Sequence, residues 1–432
     1  MNIFDRLESE VRSYCRTFPV VFDRATGPYL YDTDGRQYID LFCGAGGLNY
    51  GHNDPAMKRA LIDYLERDGV IHSLDMWTRA KATFLERFDD IILKPRGLHY
   101  RVQFTGPTGT NAIEAALKLA RKVTGRRNLV AFTKAYHGLS MGALAATANS
   151  SHRTESFIDR HNVSFVPYDG YFGPSVDTLG YLERLLDDDC SGVDRPAAVI
   201  VETIQAEGGV NIASDDWLRG LQALCRRLGI LLIVDDIQVG CGRAGTFFSF
   251  ERAGIVPDLV ALSKSISGFG LPMSLLLIQP AIDLWERAEH TGTFRGNNAA
   301  FVTAAEALLN WARPEFVEGI RRSGQVLEQG LTGFQRRWPA LGLRFRGRGL
   351  MYGVETNSPE VNLAVAQECF TRGLIVELCG ADRHVLKLMP PLNVLETVLR
   401  EAIAVLGASL EAASHGMVQA HLQPASGRQG AI

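Results

Sequence analysis

Short unbroken apolar runs alternate along this chain with stretches in which apolar residues recur every three or four positions. The runs at 128–133, 197–203, 230–236, 258–263 and 274–279 are bounded by turn residues, which predicts strands covered on both faces. Stretches such as 175–189 and 215–228 carry helical spacing between them. The alternation predicts an α/β fold, a mostly parallel sheet covered by helices, with ligands at the carboxyl ends of its strands. A long helical stretch around 315–338 leads out of this region. The remainder of the chain, with helices near 359–372 and 394–412 between short apolar runs, has the mixed order of a smaller α+β domain. Near the start, PYLYDTDGRQYIDL reads as a hairpin turning at Asp34–Gly35. No repeat of solenoid period is visible.

The chemistry gathers at the ends of two of these runs. ILLIVDD (230–236) closes on Asp235–Asp236, and the run 258–263 delivers Lys264. Either charge alone is ordinary at a strand end; the pair gains meaning from its company. FTGPTGTNAIEAALKLARK (104–122) passes from a turn into a helix with Ile113, Ala116, Leu117 and Ala120 on one side. Thr108, Gly109 and Thr110 then lie where free backbone N–H groups and the positive helix end bind an anion, although such a turn also serves as a simple cap. Tyr136–His137–Gly138 follows the next run, with an aromatic to stack on a ring or to pack, and a glycine to let backbone come close. A lysine for an aldehyde, a carboxylate for a ring nitrogen, a phosphate cradle and a stacking ring are what pyridoxal phosphate requires.

The order GTNAIEAALKLAR, YHG, ETIQAEGG, DDIQVGCGRAG, LSK and TFRGN resembles the class III, or ω-, aminotransferases of the type I pyridoxal phosphate fold, over about residues 18–406. The resemblance implies a large cofactor-binding domain at 54–313 and a small domain formed by both chain ends, 1–53 and 314–413; the tail 414–432 lacks apolar periodicity and reads as mobile. It implies Lys264 as the catalytic lysine, Asp235 as the partner of the ring nitrogen, and Gln238 as a donor to the phenolic oxygen. Thr108, Gly109 and Thr110 would hold phosphate, Tyr136 would stack, and Thr293 would reach the phosphate of a neighbouring subunit, so that homodimers share active sites, with tetramers a further option. His137 receives no role.

Substrate residues are less sharply marked. Glu207 matches a glutamate that in relatives pairs with a C-terminal arginine, where VLKLMPPL here offers Lys387, a point charge without the arginine fork. Leu139 follows YHG where 4-aminobutyrate relatives carry arginine. Arg295 is then a candidate for carboxylate binding, or equally a surface or dimer salt bridge, and Leu48, between Gly47 and Asn49, a candidate for the entrance. RSYCR, FTGPTGTNA and GTFRGNN are similar to one branch of the family, which implies transfer of the amino group of L-glutamate to L-aspartate 4-semialdehyde. An ornithine or 4-aminobutyrate type of activity, or an aminomutase, stays open.

Composition changes this picture little. A chain of 432 residues, 46% of them apolar, can bury a large core, and a net charge of −3 with dispersed Lys and Arg excludes nucleic-acid and membrane electrostatics. Its 7 cysteines show no metal-like CxxC spacing and read as reduced thiols in a cytoplasmic protein. The charged start MNIFDRLESEVRSYCR is too polar for a signal peptide. Small amino and keto acids are the partners these features leave.

Overall fold

The structure, a computed structural model, describes residues 2–153 and 162–422. Its main sheet has seven strands, in the order Arg101–Gly106, Ser274–Ile278, Leu259–Leu262, Leu231–Asp235, Ala198–Val201, Leu129–Phe132 and Val163–Val166. All run in one direction except Ser274–Ile278, which is antiparallel to both neighbours. The predicted strands are therefore present, with ends shifted by a residue or two.

An unbroken apolar strand needs cover on both faces, because successive side chains point opposite ways. On one face Ala131, Ile200, Ile233, Ala261 and Leu276 pack with Ala112, Ile113, Ala116 and Ala120 of the helix Gly109–Thr124. On the other, Phe132, Val201, Val234, Val260 and Leu275 share a core with Leu218 and Leu221 of Asp215–Leu228 and with Phe301 and Ala304 of Asn298–Leu308. Asp215–Leu228 shows why such helices form. Ser214 caps it by accepting from the Trp217 N–H, Asp215 and Asp216 sit in its first turn, Arg226 and Arg227 in its last, and Gly229 closes it at φ 60°.

The two chain ends meet. Tyr29–Asp32 and Gln37–Asp40 form the predicted hairpin, and Leu374–Ile375 pairs parallel to the second of them. Arg344–Arg348, Met351–Glu355, Val385–Leu388 and Glu377–Cys379 make a further antiparallel sheet. Ile39 and Leu41 share one core with Leu327, Leu331, Val354, Leu386, Leu399 and Leu406. The last helix runs Glu396–Leu422, beyond the predicted end at 412. The sequence past 412 has no regular apolar spacing, but its alanines, methionine and glutamine are strong helix formers. Of the expected mobile tail, 414–422 is thus helical and 423–432 lies outside the described residues. Among the described residues, no helix is long and apolar enough to cross a membrane.

Arg243 locks these parts together. Its side chain is fully buried; Nε and Nη2 donate to Asn49 Oδ1 at 3.2 and 2.6 Å, and Nη1 donates to the carbonyls of Leu350, at 2.9 Å, and Pro390. Beside it the backbones of 243–245 and 349 nearly touch: Gly349, at φ 61°, would place a Cβ 2.3 Å from the Gly245 nitrogen. Arg243→Ala is expected to lower stability by about 3–5 kcal/mol, because three buried acceptors lose their donors at roughly 1–3 kcal/mol each. Denaturant unfolding measures this, and a loss below about 1 kcal/mol would refute the locking role.

Candidate active site

Leu231–Asp235 and Leu259–Leu262 are parallel neighbours with Asp235 paired to Ala261, so Asp235 and Lys264 emerge side by side at the carboxyl edge of the sheet. Lys264 stands at φ 53°, a left-handed conformation that a non-glycine residue holds only when its surroundings impose it. Burial depresses its pKa, against the opposing pull of Glu207, and so favours the neutral amine. Ser265, the next residue, accepts from the Asn49 N–H at 3.0 Å and donates to the Gly46 carbonyl at 2.7 Å, which fixes the segment 46–49 beside the lysine.

The two aspartates of the pair part company. Asp235 Oδ2 meets His137 Nδ1 at 2.8 Å in a buried contact, and its Oδ1 accepts from the Ile237 N–H at 3.2 Å. Asp236 faces the other way, accepting from the Ser249 N–H at 3.1 Å, and burial pushes its pKa up to about 7. His137 is itself placed by Thr147, whose hydroxyl accepts from the His137 N–H and donates to the Gly138 carbonyl, each at 3.0 Å. Its Nε2 is buried without a hydrogen-bond partner among the described residues.

Thr108 begins the helix Gly109–Thr124, and its N–H and hydroxyl both donate to Asn111 Oδ1, at 3.2 and 3.0 Å. Two glycines hold this helix end close to the rest of the site. A Cβ on Gly109 would lie 2.9 Å from the Ile237 side chain, and one on Gly138, at φ 128°, only 2.5 Å from Thr110 Oγ1. Thr110 Oγ1 also meets Ser140 Oγ, and Ser140 donates to Glu114 Oε1 at 2.6 Å. The turns 108–110, 136–140 and 235–238 are therefore neighbours, Gly109 against Ile237, Gly138 against Thr110 and His137 against Asp235. Tyr136 lies in the same turn, where its N–H donates to Glu202 Oε1 at 3.0 Å and its ring meets His152 edge-on. Burial and the nearby Asp235 raise the pKa of Glu202 well above the carboxylate range.

A second cluster borders Lys264. The Lys387 side chain is wholly buried; its ammonium donates to Glu207 Oε1 at 2.6 Å and to Gln238 Oε1 at 3.1 Å, and faces Glu377 Oε2 at 3.0 Å. Gln238 Nε2 donates to the Ala45 carbonyl at 2.9 Å and to Glu207 Oε1 at 3.0 Å. That orientation of the amide is forced, since Lys387 offers only donors and Ala45 O only an acceptor. Burial would raise the pKa of Glu207, but Lys387 and Lys264 outweigh it and bring it down to about 2. Tyr14 completes the cluster, donating to Glu377 Oε1 at 3.3 Å.

The remaining expected residues lie at the margins. Leu48 packs against the Gly44 and Gly270 positions, the latter just beyond Lys264. Arg295 Nη1 would lie 3.0 Å from a Cβ on Gly106, at the strand end that leads into 108–110, and its Nε has no hydrogen-bond partner among the described residues. Leu139 is exposed. Thr293 is exposed too; its carbonyl meets His72 Nε2 at 3.0 Å, and among the described residues no hydrogen bond joins it to the Lys264 group. Sequence reasoning misses Glu114, Ser140, Thr147, Glu202, Glu377 and Tyr14. Glu114, Ser140, Glu202 and Tyr14 lie in or beside recognised motifs; Thr147 and Glu377 carry no motif or spacing signal. Among the described residues, no cluster of His, Cys, Asp and Glu could hold a metal ion.

Residues 11–410 match a family model described as aminotransferase class-III. The chain is 55% identical over 406 residues to a diaminobutyrate--2-oxoglutarate transaminase of Wolinella succinogenes, covering 94% of this chain and 95% of that one. It is 51% identical over 412 residues to the protein of that name from Halalkalibacterium halodurans, covering 95% and 96%. Among solved structures it resembles the ornithine aminotransferase of Toxoplasma gondii, with TM-score 0.83 and 25% identity over 96% of this chain and 94% of that one. An S-selective transaminase from Arthrobacter sp. shares the fold, with TM-score 0.85 and 23% identity over 96% and 97%.

Proposed function

This chain belongs to the class III aminotransferases, and from that premise we propose that it moves the amino group of L-glutamate to L-aspartate 4-semialdehyde, giving L-2,4-diaminobutyrate and 2-oxoglutarate. The observation that carries the substrate is the 55% identity, over 94% of this chain, to a diaminobutyrate--2-oxoglutarate transaminase. Incubating the protein with diaminobutyrate and 2-oxoglutarate should yield glutamate. No glutamate under those conditions would refute the substrate while leaving the family intact. Turnover without any keto acid would point to an aminomutase, and transfer from ornithine or 4-aminobutyrate alone to those types of activity.

The cofactor is pyridoxal phosphate, and the surrounding residues fit it. A helix start with close backbone approach at Gly109 and Gly138 suits a phosphate, and a buried carboxylate suits a ring N–H. When bound, the group supplies an electron sink for the carbanion formed at the substrate carbon. In our reading Lys264 would hold the aldehyde and, once displaced from it by the incoming amino group, its free amine would carry the proton taken from the substrate carbon. Asp235, oriented by His137, keeps the ring nitrogen protonated. Thr108, Gly109 and Thr110 would hold the phosphate, Tyr136 would stack on the ring, and Gln238 would donate to the phenolic oxygen in place of one of its bonds to Ala45 and Glu207. Glu207 and Leu48 line the substrate space, with Arg295 close enough to the phosphate end to serve an anion there.

We extend the proposal to the assembly. Exposed Thr293 and Phe294, beside His72, form a face that supports a homodimer in which Thr293 serves the neighbour's phosphate, with tetramers as a further step. The separate cores of the main sheet and of the joined chain ends support a large domain at 54–313 and a small one from 1–53 and 314–413. A cytoplasmic enzyme feeding ectoine or another diaminobutyrate-containing product completes the reading.

A further inference from the structure

The buried cluster around Lys387 has a construction of its own. The buried ammonium meets three partners, donating to Glu207 and Gln238 and pairing by charge with Glu377. Glu377 and Lys387 are directly opposed across two antiparallel strands, so the sheet register sets their contact. Glu377 Oε2 faces the ammonium at 3.0 Å as an ion pair without hydrogen-bond geometry, while its Oε1 accepts from Tyr14. Tyr14 belongs to the short helix Tyr14–Thr17, and its ring packs against Phe42 at 5.1 Å, next to the segment that carries Ala45. Gln238 closes the other side by bonding Glu207, Lys387 and Ala45 at once.

Glu207 differs from the rest. It stands in a turn, not on a strand, and its side chain keeps 27% exposure where that of Lys387 has 0%. Glu207 is tied to the Lys264 segment through Gln238, which bonds Glu207 and the Ala45 carbonyl, next to the Gly46 carbonyl that Ser265 holds. Of this ion pair Glu207 is thus the partly exposed member and Lys387 the wholly buried one.

We propose that Tyr14, Glu377 and Lys387 form a fixed strut that presents Glu207 to the ammonium of a diamino substrate, and that Lys387 is not the cation that receives a substrate carboxylate. To reach a carboxylate, Lys387 would have to abandon a buried anion, leaving it unpaired at a cost that one point contact with substrate does not offset. Tyr14, Glu377 and Lys387 are thus positioning residues that act through Glu207. The inference rests on the proposed diamino substrate for its positive half only; the claim about Lys387 is independent of it.

The test uses the holoenzyme and glutarate, a dicarboxylate with neither an amine nor a keto group. A crystal structure with glutarate bound is expected to keep the Lys387–Glu207 contact; a glutarate carboxylate in place of Glu207 on Lys387 overturns the proposal. Because Lys387→Met leaves two buried carboxylates facing each other and risks misfolding, Glu377→Gln and Tyr14→Phe are the working variants. Each is expected to raise KM for diaminobutyrate ~5-fold or more, with kcat and the calorimetric Kd for glutarate within about twofold, as for a misdirected charge contact. An unchanged diaminobutyrate KM, or a weakened glutarate Kd, overturns it. If diaminobutyrate is no substrate, the functional reading falls, and the glutarate structure and calorimetry still decide whether Lys387 is a strut.

Discussion

Lys264→Ala is expected to reduce aminotransfer by about 10⁴-fold or more, since the variant loses both the nucleophile and the proton carrier in one side chain. The fold should survive. The amine is buried at a strained φ of 53° in a pocket that depresses its pKa, so removing it relieves a desolvated group and breaks no ion pair within the core. The melting temperature should therefore stay level or rise, which separates this loss from simple unfolding. Lys264→Arg should not rescue activity, because a guanidinium stays protonated and cannot accept the proton. Single-turnover transfer from glutamate, followed by the appearance of 2-oxoglutarate, is the measurement. A variant retaining more than about one hundredth of the wild-type rate would remove Lys264 from the reaction.

Lys264 is legible in the sequence for a reason that reaches beyond one residue. Unbroken apolar runs at 230–236 and 258–263 demand cover on both faces, and a parallel sheet between helix layers gives it while aligning the ends of neighbouring strands. Asp235 and Lys264 follow from that rule with no side-chain information. Helix starts and stops are legible for the same local reason: Ser214 and Gly229 bracket 215–228 in sequence as they do in space. What stays hidden is contact between distant segments. Tyr14 and Glu377 are 363 positions apart, and nothing in either segment's periodicity says that a phenol and a carboxylate meet. Thr147 escapes notice because it orients His137 without belonging to the motif, and Glu202, although in ETIQAEGG, because its contact with the Tyr136 N–H joins segments 66 positions apart. The last helix outruns its predicted end because the sequence past 412 lacks the apolar periodicity that marks a helix, while its residue types still favour one.

Asp235→Asn is the sharper test of the site, because it changes one charge and almost no volume. The asparagine oxygen can still accept from the Ile237 N–H while its NH2 donates to His137 Nδ1 in the other tautomer, so the geometry at the sheet edge should hold. What disappears is the negative charge that stabilises a proton on the ring nitrogen in a partly dry site. Without that proton the electron sink is weak. A fall in kcat on the order of 10³-fold is expected, the scale on which one preorganised electrostatic contact acts. The pH dependence gives the sign: with no carboxylate to hold the proton, occupancy of the ring nitrogen depends on solvent, so the residual rate should climb as pH falls. Asp235→Glu keeps the charge, displaced by a methylene, and should recover part of the loss. His137→Phe leaves the charge and removes its guide, so it should cost far less, roughly tenfold, through misorientation alone. Should Asp235→Asn work within about tenfold of wild type at neutral pH, the carboxylate has no part in holding that proton, and the buried His137–Asp235 contact would be a packing feature.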